Sequence, residues 1–147
     1  MSLENLLRIA LLEEHVTNAA QLARLLDAAA RSLEDARQNS ITNETRLDAA
    51  YKSITQLCSA ALWGNGYRTS KSKPGHHQTM IQSLVHSIEM DTDQVRLLDV
   101  FRVKRHAIDY SGEDVDDSSV QECIAAAENL QREVTDWLRT NRPELLP

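Results

Sequence analysis

One short stretch, FRVKRHAIDYSG at residues 101–112, contains most of the side chains that could do chemistry. If it is helical, side chains four residues apart share a face, so Arg102 lies beside His106 and Arg105 beside Asp109. Arginine suits bidentate contact with phosphate, and a histidine can move a proton near neutral pH. The stretch therefore predicts a site that grips a phosphate. Its candidate residues are Arg102, Lys104, Arg105, His106, Asp109 and Tyr110.

The same cluster also fits an ordinary solvated helix face. On such a face Arg105 and Asp109 would form an ion pair that contributes a few tenths of a kcal/mol. Composition alone favours this interpretation over a phosphate site, and both remain open at this stage.

A second basic region lies in the middle of the chain. Residues 49–88 contain no Asp or Glu, although the whole chain has a net charge of -6. Pro74 and Gly75 are placed to open a helix, whose N-terminus would favour an anion. The negative total argues against a protein that coats nucleic acid indiscriminately, so we expect a local phosphate-binding patch instead. Its predicted members are Arg68, Lys71, Lys73, His76, His77 and Lys104.

Other common kinds of site are not indicated. None of the five histidines is paired with a carboxylate at the spacing of a helical zinc site, so no metal is predicted. The stretch GNGYRTSKSKPG lacks Walker spacing and a preceding strand, and no serine has a recognisable base beside it. Cys58 and Cys123 are expected as buried thiols on apolar helix sides, with no disulfide. No cofactor is predicted.

All the elements that would position these residues are predicted to be helices. Apolar residues recur at spacings of three and four almost throughout, and no stretch alternates with a period of two. Residues 67–75 are predicted as the one long loop, and residues 142–147 as a frayed tail. The predicted helices are Leu3 to Leu11, Thr17 or Asn18 to about Gln38, Asn43 or Glu44 to Gly64, Pro74 to Ile88, Asp91 or Thr92 to Gly112, and a last one opened by a capping box of Ser119 and Glu122.

These helices are predicted to form one domain over residues 1–147. Short loops favour antiparallel neighbours, so the expected architecture is an all-α antiparallel bundle of five to six helices. The fifth helix is expected to bury Val95, Leu97, Leu98, Phe101 and Ile108. No apolar run approaches the roughly 20 residues that a bilayer requires, and the N-terminus carries acids where a signal peptide carries bases. We therefore expect a cytoplasmic protein without a membrane partner.

Three segments resemble signature stretches of a bacterial branch of the HEPN superfamily. They are, in order, NETRLDAAYKSI, GYRTSKSKPGHHQTMIQSL and FRVKRHAIDYSG. The resemblance covers most of the chain and implies a helical bundle that forms a homodimer. It also implies a role in RNA chemistry, because many HEPN proteins are metal-independent ribonucleases of toxin–antitoxin and defence systems. Their hallmark is an arginine, often followed by a polar residue, with a histidine a few residues further on.

The resemblance assigns roles to individual residues. Arg105 falls on the motif arginine, His106 on the polar residue after it, and Tyr110 where the histidine is expected. Tyr110 could act as a base only if its pKa fell from about 10 to near neutrality; otherwise it donates a hydrogen bond or stacks on a base. His106, partnered by Arg102, is the other candidate proton carrier. Tyr110 is also a candidate for AMP addition by a partner nucleotidyltransferase acting as antitoxin.

Three hypotheses about function remain. The first is an RNA-directed HEPN-like protein, a ribonuclease toxin in its strongest form, with Arg102, Arg105, His106, Asp109 and Tyr110 at its site. The second is a HEPN-like bundle that binds RNA or a nucleotide without cutting it, helped by residues 68–77. The third is a helical bundle for protein interaction. The tyrosine at position 110 shifts weight from the first hypothesis toward the second.

Overall fold

The computed structural model describes residues 2–146 and confirms an all-α bundle. We name its helices α1 to α7 and its two short strands β1 and β2, in chain order. The bounds are α1 Leu3–Arg8, β1 Leu12–Glu14, α2 Ala19–Ala36, α3 Asn43–Gly64, β2 Tyr67–Thr69, α4 His76–Gln82, α5 Leu84–Ser87, α6 Thr92–Ser111 and α7 Asp117–Asn141, followed by a 3-10 turn at Pro143–Leu145.

Helix α3 is the centre of the bundle. It packs against α2, α4, α6, α7 and β2, and it is buried along most of its apolar side. Its contacts with α2 run antiparallel, because Arg46 donates to the carbonyl of Ala36 while Ser53 donates to that of Ala29. Cys58 of α3 and Cys123 of α7 are buried free thiols, as predicted. Burial raises the pKa of both thiols.

Polar residues or glycine cap several of the helices. Asn18 and Thr42 cap α2 and α3 through their side chains, and Gly112 ends α6 in a left-handed conformation with φ 70°. The predicted capping box of Ser119 and Glu122 is wrong. Asp116 is the cap of α7, and its carboxylate accepts from the Ser119 amide at 3.3 Å. An aspartate three residues earlier serves as an N-cap equally well, so the helix begins sooner.

A pair of short antiparallel strands, distant in sequence, replaces parts of two predicted elements. The expectation that the first helix reaches Leu11 is wrong, and the expected loop at residues 67–75 is wrong for residues 67–69 only. Helix α1 ends at Arg8, Ala10 takes a left-handed φ of 63°, and Leu12–Glu14 pairs antiparallel with Tyr67–Thr69. Each strand has three residues, too few for an alternating pattern to be visible, and the pairing is fixed by tertiary contacts.

The predicted helix from Pro74 to Ile88 is broken into α4 and α5. The break lies at Ser83, whose hydroxyl donates to the carbonyl of Met80 at 2.7 Å. Such side-chain to backbone bonds compete with the helical pattern. In α6 the expected burial of Leu97 is also wrong, since that side chain is half exposed on the outer face.

The C-terminal segment does not fray over the residues that the structure describes. A 3-10 turn at Pro143–Leu145 buries Leu145, and Arg142 Nη1 donates to the carbonyl of Gly64 at 2.7 Å. The predicted tail is therefore wrong for residues 142–146, because a buried leucine and a capped carbonyl anchor it. Pro147, the last residue of that prediction, lies outside the described residues. Across residues 2–146, no helix is both long and apolar enough to cross a bilayer.

Candidate functional site

Helix α6 carries Arg105 to the edge of the core. Val95, Leu98 and Phe101 form its buried side, and Arg105 follows Phe101 by about one helical turn, so its side chain emerges beside the packed surface of α3. Its Nε donates to Asp48 Oδ1 at 3.0 Å and lies 3.9 Å from Asp109 Oδ2. The predicted pair of Arg105 and Asp109 is therefore long, and the closer carboxylate comes from α3.

Arg105 also lies against an aromatic ring. Its guanidinium carbon is 5.2 Å from the ring centroid of Tyr51, within the range of a cation–π contact. Among the side-chain hydrogen bonds found over residues 2–146, the Arg105 guanidinium takes part only through Nε. Its two terminal nitrogens therefore remain available to an anion. The fork of donors that matches a phosphate is already held in place by Asp48 on one edge and Tyr51 on one face.

Tyr51 links Arg105 to a histidine of α4. The Tyr51 side chain is 2% exposed, and its hydroxyl is 3.3 Å from His77 Nδ1. Burial raises the pKa of the Tyr51 phenol. Burial, followed by the positive charges of His76, Arg105 and Arg102, lowers the pKa of His77 from 6.5. At neutral pH a neutral phenol therefore faces a neutral imidazole.

These groups line an open pocket of about 480 Å³, which we call the Arg105 pocket. Lys52 also lines it, and no ion pair within residues 2–146 involves Lys52. Arg105, Lys52, a neutral imidazole and several hydroxyls line this cavity together with the carboxylates of Asp35 and Asp48, and Asp48 is already paired with Arg105. The cationic and hydroxyl groups are those that bind a phosphate ester. The lining residues are Ser32, Asp35, Thr45, Asp48, Ala49, Tyr51, Lys52, Thr55, His77 and Arg105.

The other residues of the predicted α6 cluster lie elsewhere. Arg102 makes a bidentate pair with Asp99, at 2.6 and 3.3 Å, and Lys104 donates to Ser119 of α7. The rings of His106 and Tyr110 contact each other at a tilt of 51°, with centroids 4.7 Å apart, on the outer face, where Tyr110 is 83% exposed.

The cluster is thus divided between two faces of α6. Five residues correspond to about 140° around a helix axis, which separates Tyr110 from Arg105. Of the other residues predicted in this cluster, only Asp109 approaches Arg105. Its side chain is exposed, and its carboxylate lies near the Arg105 guanidinium.

The predicted basic patch of residues 68–77 is also divided. His77 lines the Arg105 pocket, and the ring of His76 packs edge-on against the ring of His77 with centroids 4.6 Å apart. Arg68 pairs with Glu13 across the strands at 3.1 Å and, together with Lys71, lines a second pocket. The exposed Lys73 lines neither pocket.

Sequence reasoning assigned His77 and Arg105 to a site but not Asp48, Tyr51 or Lys52. These three lie in α3, within the segment NETRLDAAYKSI, which was noted for its resemblance but given no site residue. One signal could have found them, because a tyrosine among the core positions of a central helix needs a polar partner for its hydroxyl. Over residues 2–146 no cluster of three or more His, Cys, Asp or Glu side chains could hold a metal ion.

Comparisons with protein-family models, with curated proteins and with solved structures find no match to this chain.

Proposed function

We propose that this protein is a HEPN-like RNA-binding protein that holds a phosphate of RNA or of a nucleotide in the Arg105 pocket. The observation that carries the proposal is the state of Arg105, whose guanidinium is fixed at Nε by Asp48 and over the ring of Tyr51 while its terminal nitrogens are open. Lys52 supplies a second positive charge in the same cavity. A phosphate bound there would receive charge-assisted hydrogen bonds, which are stronger than neutral ones.

The resemblance to HEPN proteins supports the same assignment. The all-α bundle agrees with that superfamily, and Arg105 is the residue that falls on its motif arginine. The pocket differs from the family pattern in one respect, because the imidazole beside Arg105 is His77 of α4, whereas position 110 carries a tyrosine on the other face of α6.

His77 supports a second proposed function, metal-independent cleavage of RNA. With Nδ1 as donor to the Tyr51 hydroxyl, Nε2 would carry a lone pair able to take the proton of a ribose 2′-hydroxyl. The 2′-oxygen would then form a bond to the adjacent phosphorus while the bond from phosphorus to the 5′-oxygen breaks, and the 5′-oxygen would take a proton from water. The products are a 2′,3′-cyclic phosphate and a 5′-hydroxyl end. Arg105 and Lys52 would stabilise the charge that develops on the phosphoryl oxygens.

Binding is tested by fluorescence anisotropy with a labelled single-stranded RNA at low salt. Removal of a charged hydrogen-bonding group costs about 1.5–3 kcal/mol, so Arg105→Ala should weaken binding by about 10- to 150-fold. Arg139→Ala is the matched control, because Arg139 is an exposed arginine paired with an aspartate three residues away, at Asp136 of α7. Equal affinities for the two variants would remove the assignment of Arg105.

Cleavage is tested by incubating the same RNA with wild-type protein and His77→Gln in the presence of EDTA. We expect the wild type to produce cyclic-phosphate ends and the variant to bind without cutting. If both proteins leave the RNA intact, cleavage is excluded and only the proposed binding function remains. Growth arrest on overexpression, lost in Arg105→Ala, would support a toxin of a toxin–antitoxin or defence system acting on RNA in the cytoplasm.

The outer face of α6 supports the proposed homodimer. Leu97, Val100 and Val103 are 47%, 55% and 54% exposed, and they form an apolar stripe that continues toward Tyr110. Stripes of this kind often mark protein interfaces. A second copy packed on α6 would cover the stripe and bring His106 and Tyr110 of both copies together. In the monomer, Tyr110 is exposed enough for a partner nucleotidyltransferase to modify it.

A further inference from the structure

Helix α3 has a single open stripe along its length. Every third or fourth residue is exposed or half-buried, while those between are mostly buried in the core. From Asp48 to Trp63 the stripe covers 15 residue steps, or about 22 Å at about 1.5 Å per residue. The residues of the stripe are Thr45, Asp48, Lys52, Thr55, Ser59 and Trp63.

A second cavity opens on this stripe beyond the Arg105 pocket. It has a volume of about 410 Å³, and we call it the Trp63 pocket. The ring of His15 lies against Trp63 with centroids 4.7 Å apart, and His15 Nε2 is buried without a hydrogen-bond partner. This ring nitrogen is therefore free to bond to a polar group of a molecule in the pocket. The pocket is lined by Glu13, His15, Leu25, Ser59, Trp63, Arg68, Thr69, Lys71 and Ser72.

Both pockets are lined by residues of α3 and of α2. On α3, Thr55 lines the Arg105 pocket and Ser59, one turn further on, lines the Trp63 pocket. On α2, Ser32 lines the first and Leu25, about two turns earlier, lines the second. Since α2 and α3 run antiparallel side by side, the cavities follow one another along the same pair of helices.

The chemistry of the two pockets is complementary. The Arg105 pocket offers Arg105 and Lys52 beside Asp35 and Asp48, while the Trp63 pocket offers an indole with Arg68, Lys71 and Glu13 in its lining. Arg68 is paired with Glu13, whereas no ion pair over the described chain involves Lys71. A basic groove with an aromatic platform is how proteins bind single-stranded nucleic acid, because unpaired bases can stack on a ring.

We infer that the Trp63 pocket is a base-stacking subsite, and that it forms with the Arg105 pocket one groove for single-stranded RNA. This inference rests on the proposed function and specifies its substrate as unpaired RNA. A strand would lie along α3 with one phosphate at Arg105 and a base further along on Trp63. At a stacked spacing of about 3.4 Å, the 22 Å stripe accommodates about six nucleotides.

The test uses the fluorescence of Trp63. Trp137 is the second tryptophan of the chain, so Trp137→Phe leaves Trp63 as the single emitter. This protein is titrated with octauridylate and with the dinucleotide UpU. We expect octauridylate to quench Trp63 and to bind at least tenfold more tightly than UpU. Lys71→Ala should weaken octauridylate binding about three- to tenfold and reduce its salt dependence by about one phosphate contact, whereas Lys73→Ala, an exposed control outside the pocket, should leave both unchanged.

The outcomes separate the two proposals. If octauridylate binds in an Arg105-dependent manner but leaves Trp63 emission unchanged, and Lys71→Ala behaves as Lys73→Ala does, the subsite is refuted and the Arg105 pocket stands. If neither oligonucleotide binds the wild type, the proposed function fails and the groove fails with it. The comparison of Lys71→Ala with Lys73→Ala needs no core substitution, because both lysines are exposed. Because Trp137 packs against the core, octauridylate binding by Trp137→Phe is first compared with binding by the wild type.

Discussion

Replacing Asp48 by asparagine should strengthen RNA binding. The carboxylate of Asp48 accepts from Arg105 Nε at 3.0 Å and would repel a phosphate held by the terminal nitrogens of the same guanidinium. Asparagine keeps an oxygen that can accept from Nε, so the orientation of Arg105 is retained while the negative charge is removed. Asp48→Asn thus changes the electrostatics of the pocket without opening it.

The expected gain follows from Coulomb's law. Across a guanidinium, a bound phosphorus would lie about 7 Å from the Asp48 carboxylate, where two unit charges interact by about 0.6 kcal/mol in water. The Asp48 side chain is 47% exposed, so a dielectric of about half that of water gives an upper value of about 1.2 kcal/mol. Affinity should therefore rise about three- to eightfold. The gain should shrink as salt is added, because ions screen charges over about 10 Å at 0.1 M.

The same substitution should slightly destabilise the fold. An ion pair between partly exposed side chains contributes about 0.2–1 kcal/mol, and Asp48→Asn removes that attraction to Arg105. Urea unfolding should therefore show a loss of up to about 1 kcal/mol in the free energy of unfolding. Binding and stability change in opposite directions, which a general effect on folding would not produce.

The assay is fluorescence anisotropy with labelled single-stranded RNA at low and moderate salt. Asp93→Asn is the matched control, because Asp93 also pairs with an arginine, Arg96, and its loss changes the net charge equally. A gain in Asp48→Asn that exceeds the gain in Asp93→Asn supports the pocket. Equal gains in both variants would mean that the effect is due to net charge. Weaker binding by Asp48→Asn would contradict repulsion between Asp48 and a phosphate held by Arg105.

Three further predictions concern the histidine, the C-terminal segment and the outer face of α6. The pKa of His77 is lowered from 6.5, so the unfolded chain takes up a proton more readily than the folded protein, and stability is lost as pH falls below about 6.5. In urea unfolding between neutral pH and about pH 5, His77→Gln should therefore lose less stability than the wild type. An equal loss in both proteins would contradict this prediction. Leu145→Ala should lower the free energy of unfolding by about 2–3 kcal/mol, and a change below about 0.5 kcal/mol would restore the idea of a frayed tail. Val100→Glu should convert a dimer to a monomer in sedimentation experiments, and an unchanged mass would exclude this stripe as the interface.

Most of the fold could be predicted because it depends on local patterns. The long helices α2, α3, α6 and α7 follow from apolar residues at spacings of three and four and from capping residues such as Asn18. The strands could not be predicted, because three-residue segments pair across the chain at Leu12 and Thr69 through contacts that no local pattern records. The buried Leu145 was missed for the same reason, since its environment is formed by distant helices.

The site was predicted in part. Arg105 was singled out from the pattern of α6, which suggested Asp109 of the same helix as its partner. The structure instead supplies Asp48 and Tyr51 from α3 and His77 from α4. Periodicity shows which residues of one helix share a face, but it does not show which residues of another helix lie opposite them.

The proposed function requires that Arg105 bind a phosphate, and nuclear magnetic resonance can observe that contact directly. The Arg105 Nε–Hε signal and the His77 ring signals are followed while uridine 3′-monophosphate is added, with the Nε–Hε signal of Arg139 as reference. We expect saturable shifts of the Arg105 and His77 signals and a constant Arg139 signal. Unchanged Arg105 and His77 signals, at nucleotide concentrations that shift signals elsewhere on the protein, would contradict phosphate binding in the Arg105 pocket.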